Sequence, residues 1–166
     1  CIDGALHHYL GDQGIKLDHP ITIQMPVNLR KEGDQKGGNK IGLVLVELAQ
    51  PTDDPFVRLR EIGFTLRNVR NQIDGVPGTA IEQFSLVSVA VSELIEQLKL
   101  SNKLPTNGYT LVSNVPGPKE RLYLNGATVE QLYPISALSP GLLMNITLFS
   151  YAGELGFGLV ATKDLA

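Results

Sequence analysis

The hydrophobic positions of this chain repeat first with a helical period and later with a strand period. Over residues 1–12, Ile2, Ala5, Leu6, Tyr9 and Leu10 recur at three- and four-residue spacing, which predicts the end of an amphipathic helix with that stripe turned inward. "HPITIQMPVNL", His19 to Leu29, predicts a strand, and Pro20 and Pro26 put it at an edge or a break, because proline cannot donate to a ladder. "RKEGDQKGGN", Arg30 to Asn39, is a polar loop. "KIGLVLVELA", Lys40 to Ala49, is apolar on both faces and predicts a buried central strand. Asp53, Asp54 and Pro55 then open a helix, the acids suiting its N-terminal dipole and the proline its first turn. Its expected buried stripe is Phe56, Leu59, Ile62, Leu66 and Val69, with Arg58, Arg60, Arg67 and Arg70 lying off it. "DGVPG", Asp74 to Gly78, ends that helix, and a second is predicted from Thr79 to Leu100, with Phe84, Val87, Val91, Leu94, Ile95 and Leu98 inward. From Tyr109 the pattern is that of strands: Tyr109–Val115, Arg121–Leu124, Thr128–Ile135, Leu142–Ser150 and Glu154–Ala161, with turns at "VPGP", "LNGA", "LSPG" and "YAGE". This order implies an α/β layered domain, a mixed β-sheet with helices packed on it, occupying residues 1–166 as one unit.

Composition narrows the function classes. At 166 residues and 43% hydrophobic the chain is long enough to bury a core. A net charge of −3 gives no basic field to hold nucleic acid. Cys1 is the sole cysteine, so no internal disulfide forms, and a reducing, cytoplasmic compartment is expected. The apolar runs are short and broken by polar residues, which predicts no membrane-spanning segment. "CIDGAL" lacks signal-peptide character and reads as the inside of a helix, so the chain is expected to be a fragment of something longer.

Three stretches carry candidate chemistry. "LHHYLGDQG", Leu6 to Gly14, nearly reproduces the HHxxxDG signature of CoA-dependent acyltransferases, in which the second His is the general base. At roughly 100° per residue, His7 and His8 each point about 130° away from the apolar stripe, on opposite flanks. Both are expected on the polar side, whereas a catalytic base needs a packed, oriented setting. The Gly after the Asp is also missing, since Gln13 follows Asp12. His7 and His8 are therefore read as look-alikes, and His19, before Pro20, as a turn residue. With three His and one Cys no metal site is expected. "SNVPGP", Ser113 to Pro118, runs a strand into a turn in which Pro116 and Gly117 suit the central positions of type II, Gly supplying positive φ. It is either a rigid strand end or a turn that presents Asn114 and backbone groups to a ligand. "LLMNITLFSYAG", Leu142 to Gly153, puts Leu143, Asn145, Thr147 and Phe149 on one face. Asn145 there must be hydrogen-bonded: either it holds a neighbouring backbone group or it faces a cleft. No GxGxxG, P-loop or GxSxG pattern is present. The four arginines of residues 58–70 are spread around the polar face, which is the pattern of solvated side chains rather than of a phosphate grip.

The motifs "GALHHYL", "PVNLR", "GNKIG", "DDPFVRL", "SNVPGP", "LYLNGA", "LYPIS", "NITLFSYAG" and "LGFGLVA" occur in this order. Together they resemble the C-terminal domain of the bacterial wax ester synthase/diacylglycerol acyltransferase family, and the resemblance covers essentially the whole chain. It implies one half of a fold like that of chloramphenicol acetyltransferase, in which acyl-CoA and a long-chain alcohol or diacylglycerol meet in a channel between two halves. It implies direct acyl transfer with no cofactor, acyl-CoA being a substrate. The family's HHxxxDG motif belongs to the N-terminal catalytic half, absent from this chain. "GALHHYL" matches a different helix, where relatives often carry "GALRRYL". The resemblance therefore leaves no catalytic residue here and leaves open whether the chain acts as an enzyme alone. Asn145 is expected to face the channel, and Ser113, Asn114, Pro116, Gly117 and Pro118 to form a fixed element beside it. Arg30 is expected to be a structural ion-pair partner or a contact to CoA phosphate. The expected partners are the N-terminal half, acyl-CoA and a lipid acceptor, with peripheral placement on membranes or lipid inclusions and self-association through an exposed apolar face as further expectations. The alternative is a non-catalytic lipid- or protein-binding module derived from the same fold.

Overall fold

The computed structural model describes residues 1–29, 41–98, 110–139 and 142–163. The elements run α1 (Ile2–Asp12), β1 (Thr22–Asn28), β2 (Ile41–Glu47), α2 (Pro55–Asp74), α3 (Gly78–Gln97), β3 (Thr110–Pro116), β4 (Tyr123–Leu124), β5 (Ala127–Thr128), β6 (Met144–Tyr151) and β7 (Glu154–Ala161). Five strands form one sheet in the order β2-β1-β3-β6-β7, and β4 and β5 make a separate two-stranded ribbon. β1–β2 and β6–β7 are antiparallel, while β3 runs parallel to both of its neighbours. The expected mixed sheet with helices on it is therefore present. The expectations for Arg30–Asn39, Lys40, Leu100, Tyr109 and the last two residues of "LSPG" fall outside the described residues.

Three local expectations change. The segment Lys40–Ala49 was expected as a central strand by composition, but β2 is the sheet's outermost strand. Its apolar character on both faces has another cause: Val46 and Leu48 join Ile23 in the core, while Ile41 and Leu45 stay exposed. The open edge of β2 is blunted by α3, whose Ser85 Oγ accepts the Leu43 N–H at 2.8 Å, so this edge donor is paired rather than left for another chain. Pro26 lies inside β1 with a strand on each side, yet the β1–β3 ladder pairs only Ile23 with Thr110 and Gln24 with Leu111. Pro26 therefore sits past the point where β1 has a β3 partner, which is where a strand tolerates a missing donor. Residues 129–135, expected as a strand, are irregular apart from the short β5 just before them.

The helices begin as their sequences predict. Asp54 caps α2, its Oδ1 accepting the Phe56 N–H at 2.8 Å and the Val57 N–H at 3.3 Å, with Pro55 in the first turn. The stripes, however, are divided differently. Ile62 and Val69 of α2 pack on the core around Ile23, Val46 and Leu48, whereas Phe56 is 81% exposed and Leu59 and Leu66 are also exposed. On α3, Ile81 and Ser85 are buried, and the expected inward stripe of Phe84, Val87, Val91, Leu94 and Leu98 is exposed. Both helices present to solvent much of what their periodicity assigns to a core.

On α1 the inward side is set by Asp3 and Leu6 rather than by Ala5, which is exposed. Asp3 is 2% exposed. Its Oδ2 takes Arg58 Nη1 of α2 at 2.5 Å, and Arg58 Nη2 donates to the Thr52 carbonyl. Arg58 is thus a pinned cross-helix side chain, not a solvated one. A buried ion pair of this kind need not add stability over an apolar pair, but removing one member strands the other charge.

Candidate functional site

β3, β6 and β7 build two different surfaces because strand side chains alternate. The register is fixed: Ser113 pairs with Thr147 and Thr147 with Gly158, while Asn114 pairs with Leu148 and Leu148 with Phe157. The first row and its odd-numbered neighbours on β6 form one face, the second row and the even-numbered ones form the other.

The odd face is closed by the chain itself. Residues 129–139 cross it as a strap. Asn145 Nδ2 donates to the Ala137 carbonyl at 3.2 Å, and Thr147 Oγ1 donates to Asn145 Oδ1 at 2.9 Å. With the Thr147 proton used there, the 2.9 Å contact between Ser136 and Thr147 has Ser136 as donor. Tyr151, buried, donates to the Val129 carbonyl at 2.7 Å and accepts the Leu122 N–H at 2.8 Å, so one hydroxyl ties both ends of the β4–β5 ribbon. The strap's backbone lies close. A Cβ on Gly156 would stand 2.8 Å from the Leu132 carbonyl oxygen, and one on Gly158 would collide with the Pro134 carbonyl.

The even face is open. α2 and α3 pack against β2, at the other end of the sheet. Beyond Val112 and Ile146, the rows Asn114–Leu148–Phe157 and Pro116–Ser150–Leu155 carry no helix over them among the described residues, and Leu159 is 63% exposed. Asn114 is exposed at the margin of this apolar surface. We take this open face as the candidate site: an apolar wall of Leu155, Phe157 and Leu159 with one amide at its rim.

The structure separates the residues that the sequence groups. Asn145 is 5% exposed and lies beneath the strap, so it is corrected from a channel-facing residue to a hydrogen-bonded tie. Ser113 shares its face. Asn114 and Pro116 lie on the open side, and of the two only Asn114 is polar. Gly117 does not take positive φ, so the type II turn expected for "VPGP" is not formed. Glycine is needed there for space: a Cβ would collide with the Ser150 carbonyl and stand 2.5 Å from Phe149 Cζ. Pro116 ends β3 opposite Ser150, the Gly117 N–H donates to Ser150 Oγ at 3.1 Å, and the Pro118 carbonyl accepts the Ala152 N–H at 3.0 Å. "SNVPGP" is thus a strand end sutured to β6. The turns at "LNGA" and "YAGE" form, with positive φ at Asn125 and Gly126 and at Ala152 and Gly153, the pattern of hairpin turns. Arg30 lies outside the described residues. The alternation of "ELGFGLVA" is the signal that would have located the wall, since it puts small residues on one face and Leu155, Phe157 and Leu159 on the other.

His8 is exposed, as expected, and His19 is exposed in a bend. His7 departs from expectation. Its side chain is only 15% exposed, and its Nε2 lies 3.8 Å from Asp3 Oδ1. The physical reason is the i, i+4 spacing to Asp3, which turns His7 toward α2 once Arg58 draws Asp3 inward. His7 and Arg58 line a cleft of about 470 Å³ with Lys16, Leu17, Thr52 and Asp53. His7 Nε2 and Asp3 Oδ1 are buried without a hydrogen-bond partner. Among the described residues no nucleophile or acceptor pocket joins His7 to the open face, so nothing here makes it a base.

The family model described as the WS/DGAT C-terminal domain matches residues 37–166. A putative diacylglycerol O-acyltransferase of Mycobacterium tuberculosis (strain ATCC 25618 / H37Rv) is 38% identical over 160 residues, covering 96% of this chain and 36% of the relative. A probable diacylglycerol O-acyltransferase of the same strain is 34% identical over 161 residues, again covering 96% and 36%. Among solved structures, the wax ester synthase/diacylglycerol acyltransferase from Marinobacter aquaeolei VT8 matches with a TM-score of 0.78 and 25% identity, over 99% of this chain and 36% of that one. The chain thus spans about a third of the length of the proteins it matches.

Proposed function

Because the chain belongs to the WS/DGAT C-terminal domain family, we propose that it is one part of an O-acyltransferase that moves a fatty acyl group from acyl-CoA to a long-chain alcohol or diacylglycerol. The observation that carries this reading is the open face of β3, β6 and β7. A channel for an acyl chain needs a long apolar wall that the domain's own helices leave bare, and Leu155, Phe157 and Leu159 provide one. Asn114 at its rim supplies an amide able to hydrogen-bond a thioester or hydroxyl oxygen. The strap on the far side keeps the wall rigid, since Asn145, Thr147 and Tyr151 fasten β6 from behind.

In this reading the reaction is direct transfer. A His base deprotonates the acceptor hydroxyl, the resulting alkoxide attacks the thioester carbonyl, and the thiolate of CoA leaves and takes up the proton. That base comes from an N-terminal half that carries HHxxxDG and faces this wall. His7 and His8 take no part. No cofactor enters the chemistry.

The test is CoA release from a long-chain acyl-CoA and a long-chain alcohol, by this chain alone and by the chain joined to a relative's HHxxxDG-bearing portion. The expected result is background release alone and turnover when joined. Turnover by the chain alone that vanishes in His8→Ala would overturn the reading and make "HHYLGD" the active site. No turnover in a folded joined protein would favour the second reading, a binding module that uses the same open face.

A further inference from the structure

The two edges of the sheet, β2 and β7, are treated differently. In an antiparallel pair every second residue bonds the partner strand, and the residues between turn N–H and C=O the other way. On β2, Leu48 N–H donates to the Ile21 carbonyl in the register that pairs Thr22 with Glu47. The odd-numbered residues of β2 therefore face the edge, and Leu43 among them gives its N–H to Ser85 of α3. On β7, Thr162 N–H donates to the Leu143 carbonyl in the register that pairs Met144 with Ala161. The even-numbered residues of β7 thus bond β6, while Leu155, Phe157, Leu159 and Ala161 turn N–H and C=O to the edge. Among the described residues, nothing takes these groups. The strand from Leu155 to Ala161 also carries no proline, no charge and no bulge, the features that commonly guard an edge.

We propose that β7 pairs antiparallel with β7 of a second copy of the chain, joining two sheets across a twofold axis. Outward residues must meet outward residues, so facing numbers sum to an even value. An axis at Gly158 sets Phe157 against Leu159, and Leu155 against Ala161, of the second copy. Each such pair exchanges both of its backbone hydrogen bonds. The side chains of these residues lie on the open face, so Phe157 and Leu159 also touch across the junction. Charge selects a second copy as the occupant. Glu154 stands at one end of β7 and Lys163 just past the other, both exposed, and neither forms an ion pair among the described residues. Antiparallel pairing puts each Glu154 opposite Thr162 and next to Lys163 of the other copy, acid to base at both ends; parallel pairing would set like against like. The contact closes at two copies, because the opposite edge of the sheet lies against α3. Pairing runs through the strand edge and leaves the open face uncovered, so the inference does not rest on the acyl-transfer reading.

The experiment is sedimentation of the chain from about 1 to about 100 μM, with hydrogen exchange read amide by amide at both limits. Dimers are expected at the upper limit. Protection of the Leu155, Phe157, Leu159 and Ala161 amides is expected to rise with concentration, while the even-numbered amides of β7 stay protected throughout. Phe157→Pro removes an outward donor from each copy and no bond to β6, at an edge position that tolerates proline. It is expected to weaken the dimer about twenty-fivefold, roughly a factor of five per lost hydrogen bond. Phe157→Ser keeps the donor and is expected to weaken it less. Glu154→Lys is expected to weaken the dimer, and Glu154→Lys with Lys163→Glu to restore it. Circular dichroism checks that each variant keeps the fold, and the amide pattern and the charge exchange decide the matter without Phe157→Pro. Monomers at every concentration would overturn the proposal, as would unchanged protection of the outward amides or no rescue by the charge exchange. A dimer that Phe157→Ser dissolves and a folded Phe157→Pro leaves intact would also overturn it, by assigning the contact to the apolar face.

Discussion

The two faces of β6 and β7 are made from the same strands and behave oppositely. On one, glycine at 156 and 158 lets the backbone of residues 129–139 lie against the sheet, and Asn145, Thr147 and Tyr151 tie it down. On the other, Leu155, Phe157 and Leu159 are large, apolar and uncovered. Apolar area left in water costs roughly 25 cal/mol per Å², so a strand that keeps three such residues exposed forgoes stability that burial would supply. The closed face is organised for stability. The open face keeps large apolar side chains uncovered among the described residues, and on β7 the difference follows which parity of residue is small.

The largest expected effect comes from breaking the closed face. Gly158→Val places a side chain into the Pro134 carbonyl, and urea unfolding is expected to show a loss of about 3 kcal/mol or more, with the strap's amides losing protection from hydrogen exchange. Asn145→Ala leaves the Ala137 carbonyl without its donor and the Thr147 hydroxyl proton without its acceptor, an expected loss of about 2 kcal/mol. Its combination with Thr147→Val is expected to be non-additive in a double-mutant cycle, because the two share one hydrogen bond. The smallest stability effect is expected on the open face: Phe157→Ser should cost about 1 kcal/mol, because Phe157 is already 47% exposed. In the joined enzyme the same change is expected to lower kcat/KM for long-chain acyl-CoA at least about tenfold, the cost of one poorly covered apolar contact. A large stability loss in Phe157→Ser with unaltered kcat/KM would erase the contrast between the faces.

Much of this arrangement is legible in the sequence. The period change after residue 109, the Asp54-Pro55 helix start and the turns at Asn125-Gly126 and Ala152-Gly153 all follow from local chemistry. The family resemblance rests on short motifs, and the comparisons bear it out. The candidate site is legible only in part. Asn114 and Asn145 stand out as polar residues in apolar strands, but spacing does not say which of them is covered. That depends on where residues 129–139 lie, and those residues are not the regular strand their alternation predicts. Arg58 misleads for a similar reason: its position off the α2 stripe marks it as solvated until Asp3, 55 positions earlier, approaches it.

By itself, then, the sequence determined most of the elements, the α2 cap, the two hairpin turns and the family, because each of these rests on neighbours within a few residues along the chain. It also determined that the parity of β7 divides small residues from large ones. Only the tertiary structure decided which helical stripe meets the core, that β2 is an edge, that His7 turns inward, and that Asn145 is sealed while Asn114 is open. Those outcomes depend on which segment arrives over each face. That arrival is set by packing between elements far apart in sequence, and no local period encodes it.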